Sequence, residues 1–199
     1  MIKTTAILLQ ELDKYSWPAH KLGRLVKRGK LIPIVKGLYE DNRTVPGYLL
    51  AGSIYGPSYL SFEFALGFYG LIPEAVYTFT SATFDKKKKK TYETPFGTFS
   101  YRDVPTKVYP LEIRLEQEGE YLFQIASPEK ALCDQLYTLP PVRNQKELRH
   151  LLFDDMRIDT EAYGKLSPDT LMALSEEYRS GNLKLLNKFV RRHRDEHDS

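Results

Sequence analysis

The sequence predicts an α+β fold. A small amino-terminal module of two helices and a hairpin, residues 1–45, precedes a larger domain, residues 46–199, with an antiparallel sheet of about four strands and several helices. Three observations carry this. Between residues 76 and 125 the chain is rich in β-branched and aromatic residues, broken by Pro, Gly and charged positions. On either side, apolar residues recur at helical spacing. Charge is also unevenly placed: residues 1–45 hold 9 basic and 4 acidic side chains, a net of +5. Residues 46–110 carry +2 and residues 111–199 carry −4, which yields the modest +3 of the whole 199-residue chain. A basic amino-terminal fifth on a mildly acidic body points to a head that binds polyanions.

Taken in order, residues 4–15 read as a helix with Thr4 or Thr5 as its cap and Ile7, Leu8 and Leu12 on one face. Trp17-Pro18 interrupts it, and Pro18 fits the first position of a second helix that runs to about Arg28 and stops at Gly29. Residues 31–41 read as a short hairpin turning at Gly37. Residues 46–54 and 61–69 read as helices, the latter with Ser61 as cap and Gly70 as stop. Strands are expected at 76–84, 96–104, 108–115 and 121–125. After Ser127 the chain turns helical, near 128–138, 145–153, 168–179 and 183–194. Ser127-Pro128-Glu129 and Ser167-Pro168-Asp169 are both helix starts: a cap, a proline at the first turn, then an acid at the positive end of the dipole.

Composition excludes several classes. At 42% apolar residues the chain is no disordered polypeptide, and 12 Gly and 12 Pro do not make it fibrous or low-complexity. The single cysteine, Cys133, allows neither a disulfide within the chain nor a multi-cysteine zinc site. No apolar run approaches the roughly 18 residues of a membrane helix, and the short stretch Ala6-Ile7-Leu8-Leu9 is too brief for a secretory signal. A soluble, cytoplasmic protein is expected.

The second helix repays inspection at about 100° per residue. Leu22, Leu25 and Val26 share one arc; Lys21, Arg24, Lys27 and Arg28 share another on the opposite side. One face packs while the other presents four cations, and Lys30 and Lys36 extend the charge into the hairpin. Two helices and a hairpin with cations on the second helix is the layout of a winged helix-turn-helix, in which that helix enters the major groove and the wing rests on backbone. Arg24 and Arg28 lie one turn apart, so both can reach base edges. A charged outer face is also what any surface helix shows.

Several segments resemble a known family. Arg24-Leu25-Val26-Lys27-Arg28-Gly29-Lys30-Leu31 followed by Lys36-Gly37-Leu38-Tyr39 is similar to the winged-helix end of the AbiEi-type antitoxins of abortive-infection, type IV toxin–antitoxin systems. Pro57-Ser58-Tyr59-Leu60-Ser61, Ala65-Leu66 and Tyr69-Gly70-Leu71-Ile72 resemble that family's central helical segment, and Thr94-Pro95-Phe96-Gly97-Thr98-Phe99 its strand region. Ala126-Ser127-Pro128-Glu129-Lys130-Ala131-Leu132-Cys133-Asp134 resembles its carboxy-terminal helix start. The resemblance implies a head that binds inverted repeats in its own promoter and a body that counteracts a nucleotidyltransferase-like toxin. Inverted repeats require two heads, which a homodimer would supply. The family's module usually has three helices before the wing; the 29 residues ahead of this hairpin leave room for two.

The expectation is therefore an antitoxin-like transcriptional regulator rather than an enzyme, with no cofactor and no metal. The alternative is a protein-interaction module that neutralises a partner without binding DNA. Lys86, Lys87, Lys88, Lys89 and Lys90 read as a hairpin tip, either gripping phosphate or an acidic partner, or keeping a loop solvated. Glu129, Lys130 and Asp134 lack the strand-borne spacing of acid–base sites and read as a dipole contact and surface pairing. His193 and His197, four apart, have the spacing of metal ligands but stand in a charged tail; His20 and His150 have no evident partners. Cys133 has apolar neighbours and reads as a buried thiol. Of the 14 Tyr and 10 Phe, most are expected in the core.

Overall fold

The computed structural model describes residues 1–197, and side chains as far as Arg192. Strand β1, Lys3–Thr4, leads into helix α1, Thr5–Glu11, with the Thr4 hydroxyl accepting the Ile7 N–H at 3.3 Å as cap. Helix α2, Pro18–Lys27, begins on its proline and ends at Gly29, whose φ of 66° suits a residue without Cβ. Strands β2, Ile32–Val35, and β3, Leu38–Glu40, turn through Gly37, and β1 pairs with β3 to make a three-stranded antiparallel sheet, β1-β3-β2. Ile7 was expected to pack inward with Leu8 and Leu12. It is exposed, because Leu8, Leu9 and Leu12 share the arc that meets α2 and Ile7 lies about 100° beyond its edge, toward solvent.

The larger part opens with a 3-10 turn, Gly47–Leu50, running into the short α3, Ala51–Ile54, where a single helix was predicted. Then come β4, Tyr59–Leu60, and α4, Phe62–Phe68, which stops at Gly70. Strands β5, Thr78–Thr83; β6, Lys90–Thr94; β7, Gly97–Asp103; β8, Ile113–Glu118; and β9, Tyr121–Ala126, follow. Helices α5, Pro128–Thr138; α6, Gln145–His150, continued by a π-helical turn at Leu151–Asp155; α7, Thr160–Gly164; α8, Pro168–Glu177; and α9, Gly181–His197, complete the chain.

The predicted sheet of about four antiparallel strands is corrected to a mixed six-stranded sheet, β6-β7-β5-β4-β9-β8. Two of its pairings, β5 with β7 and β4 with β9, are parallel. Two strands escaped the pattern: β4 has only two residues, and β6 starts inside the lysine run. The strand expected from 108 begins at Ile113, because Pro105 starts a turn in which Val108 N–H bonds the Pro105 carbonyl. Since β5 and β6 both flank β7, the segment between them crosses over that strand, and Lys86 to Lys90 are not a hairpin tip.

Ser127 and Ser167 cap α5 and α8 as predicted, accepting from Lys130 N–H at 3.1 Å and Thr170 N–H at 3.2 Å. Ser61 does not cap α4 with its side chain, which donates instead to Asp134 at 2.7 Å. Helix α5 is the hub: residues 129–136 are all buried, packed against α4, β9, α8 and α9. The hydrophobic residues form two clusters. The small one holds Leu8, Leu22 and Leu31, with Leu25, Val26 and Tyr39 against it. The large one fills the body and also takes in Ile34 and Leu38 of the hairpin, so β2 and β3 serve both.

Candidate nucleic-acid interface

Helix α2 is positioned by its inner face. Leu22 is buried against Leu8 and Leu31, while Leu25 and Val26 are half-buried beside them. That leaves Arg24, Lys27 and Arg28 on the outer face, all exposed, with Lys30 and Lys36 exposed in the following segment and at the hairpin turn. Lys21 differs from the other five: it is half-buried, its ammonium 4.4 Å from the centre of the Tyr15 ring. None of these six cations lies within ion-pair distance of a carboxylate among the described residues. Their charge faces solvent uncompensated, which is the electrostatic condition for meeting a polyanion.

Tyr15, Ser16, Trp17 and Arg43, to which the sequence assigned no contact, join Lys21 and Arg24 on this surface. Tyr15, Ser16, Trp17, His20, Lys21 and Arg24 line an open groove of about 620 Å³ at the start of α2, and Trp17 is 75% exposed. Arg43 reaches back to the Gly29 carbonyl at 3.3 Å, adding a cation at the other end of α2. The signal for Arg43 was local charge alone; for Trp17 it was an aromatic in a turn, where no core needs one.

The five lysines are not equivalent. Lys86 donates to the Gly56 carbonyl at 3.3 Å and stands over the Tyr55 ring; Lys87 lies 3.8 Å from Asp85, and its backbone N–H bonds Asp103 at 2.6 Å. Lys88 and Lys89 are exposed, and Lys90 begins β6. The run is tied down at one end, consistent with its place in a crossover.

Glu129 and Lys130 correct the surface-pairing expectation. Glu129 is buried and accepts the Ser167 N–H at 2.9 Å, joining two helix starts. Lys130 and Asp134, one turn apart, both have zero exposure and lie 3.1 Å apart. Asp134 also accepts the hydroxyls of Tyr59 at 2.9 Å, Ser61 at 2.7 Å and Tyr178. Lys130 donates to the Val108 carbonyl at 2.8 Å and to Tyr178 Oη at 2.6 Å. Burial lowers the Lys130 pKa against the opposing pull of Asp134, and burial followed by the Asp134 charge holds Tyr59 and Tyr178 well above the usual phenol range. With charges and phenols sealed inside, the cluster works as a structural knot and is closed to a substrate.

Cys133 is fully buried and burial pushes its thiol up, far from a nucleophile's range. Among the described residues no group of three His, Cys, Asp or Glu side chains is placed to hold a metal ion; the side chains of His193 and His197 lie outside those residues. His20 lines the α2 groove, and His150 lies 3.4 Å from Asp155. No described helix is long and apolar enough to cross a membrane. The sequence matches no protein-family model and no curated protein.

Proposed function

We propose that residues 1–45 dock on duplex DNA, with α2 in the major groove and the β2–β3 hairpin against the backbone, and that the protein represses transcription by occupying an operator. The observation that carries this is the uncompensated stripe Arg24, Lys27 and Arg28 on the one face of α2 that packing leaves open, continued by Lys30 and Lys36. Arg24 and Arg28 suit guanine edges, since the guanidinium fork pairs bidentately; the lysines suit phosphate. The resemblance to AbiEi-type antitoxins adds the remainder: an inverted-repeat operator, and a body that counters a nucleotidyltransferase-like toxin. In this reading the mixed sheet and helices of residues 46–199 carry the surface that meets the toxin.

The test is binding to inverted repeats from the protein's own promoter. R24A and R28A are each expected to weaken operator binding by about 1–3 kcal/mol. K27A is expected to weaken all sequences alike and to reduce the slope of log affinity against log salt by about 0.9. An R24A/R28A variant that binds the operator as tightly as wild type sinks this assignment of α2. The net charge of −4 in residues 111–199 favours a second reading, in which the body binds a basic partner and the head contacts no DNA. A stable toxin complex with no operator shift at low salt would select it.

A further inference from the structure

Strand β8 is the last of the six-stranded sheet, and residues 114–118 are exposed. Its backbone phase is fixed. Ser127 N–H bonds the Glu112 carbonyl at 2.8 Å, and β8 pairs with β9 from Ile113↔Ala126 to Glu118↔Tyr121. Antiparallel alternation then turns the backbone groups of residues 112, 114, 116 and 118 toward β9, and those of 113, 115 and 117 outward. The outer edge therefore offers the N–H and C=O of Ile113, Leu115 and Gln117 to another strand.

We propose that this edge pairs antiparallel with the β8 edge of a second copy, about a two-fold axis through Leu115. The register follows from the residues. With the axis at Leu115, that residue opposes itself, Ile113 opposes Gln117, and Arg114 opposes Glu116 of the second copy, twice by symmetry. The outward groups then meet in hydrogen-bonded pairs. Arg114 and Glu116 fall in the closer, non-hydrogen-bonded pairs, where cross-strand charges interact most. Moving the axis one residue either way sets Glu116 against Glu116 or Arg114 against Arg114. Charged residues on an edge commonly repel another strand. Here opposite charges stand two apart, the spacing that makes the edge complementary to itself.

The side chains agree. Leu115 is 66% exposed and Leu122 is 62% exposed. They share one face of the β8–β9 pair, because Leu115 opposes Gln124 and Leu122 opposes Gln117. Pairing at Leu115 covers the first leucine with its own copy and brings the second toward the seam. The geometry stands independently of DNA binding, and it supplies the two heads that an inverted repeat needs.

The experiment is sedimentation equilibrium of the full chain over a dilution series. Wild type is expected to be a reversible dimer. R114E and E116R, each alone, set like charges against each other at both symmetric positions and raise the dissociation constant more than about tenfold. The R114E/E116R double variant restores the dimer, which a merely damaged fold would not do. L115P removes an outward N–H and no bond to β9, and is expected to give a monomer with unchanged circular dichroism. Hydrogen exchange adds a signature: Leu115 and Gln117 amides slow as concentration rises, while those of 114 and 116 do not change. A monomer throughout, or a dimer indifferent to R114E and L115P, overturns the proposal. R24A/R28A leaves the mass unaffected, so failure of this interface and failure of the DNA reading are separable.

Discussion

Asp134 is the most heavily partnered carboxylate among the described residues, with three hydroxyls and the Lys130 ammonium around it. Removing it strands a buried cation. D134A is expected to cost about 3–5 kcal/mol in urea unfolding. K130M/D134L, which removes both charges, is expected to cost less than D134A alone, since no buried charge is left unpaired and the loss is confined to the neutral hydroxyls of Tyr59, Ser61 and Tyr178. A double variant worse than the single would show that the ion pair itself, rather than the penalty of breaking it, sustains this part of the core. At this scale the sequence was deceptive. Lys130 sits beside Glu129 in a helix start, a setting shared by countless surface pairs, and its burial depends on α8 and β4, far away in sequence. The one local sign was its surroundings: Ala131, Leu132, Cys133 and Leu136 leave little solvated face for a Lys–Asp pair one turn apart.

Elements with a strong local signature were legible. The caps at Thr4, Ser127 and Ser167 and the stops at Gly29 and Gly70 stand where short-range chemistry puts them. The cationic face of α2 was readable for the same reason, as helical periodicity is a local property. The strand order was not, because β5 and β7 pair in parallel through a crossover that no local pattern records. The junction of the 3-10 turn with the sheet provides a test at this scale. A Cβ on Gly47 would lie 2.3 Å from both a Phe79 ring carbon and the Phe96 carbonyl oxygen, and a carbonyl cannot swing aside. G47A is expected to destabilise by about 1–3 kcal/mol, measured by urea unfolding, through overpacking. A neutral G47A would mean that the turn has slack against β5.

Across the whole molecule, burial raises the pKa of eight tyrosines: Tyr48, Tyr59, Tyr69, Tyr101, Tyr109, Tyr121, Tyr163 and Tyr178. For Tyr109 burial alone takes it to about 12. A raised folded-state pKa contributes stability that is fully present below the unfolded value of about 10 and is lost as pH climbs past it, because the unfolded chain releases its protons first. Lys130 acts in the opposite sense: its lowered pKa means that the folded state sheds its proton earlier, which favours folding as pH rises toward the usual lysine range. Eight groups against one set the outcome. Urea midpoints are expected to fall steeply above pH ~10, with phenolate absorbance appearing together with unfolding rather than before it.

The hairpin ties the head to this behaviour. Leu31 and Tyr39 belong to the small cluster, while Ile34 and Leu38 belong to the large one. A single calorimetric transition is therefore expected, and two resolved transitions would show that the clusters melt separately. The shared hairpin also sets a rule for making chimaeras. A chain cut between Val45 and Pro46 divides the sequence at a charge boundary, yet it strips Ile34 and Leu38 of their cover. Under the DNA docking proposed above, a graft of another protein's specificity should replace the outer residues of α2 and leave the hairpin in place, because its inner side belongs to the recipient.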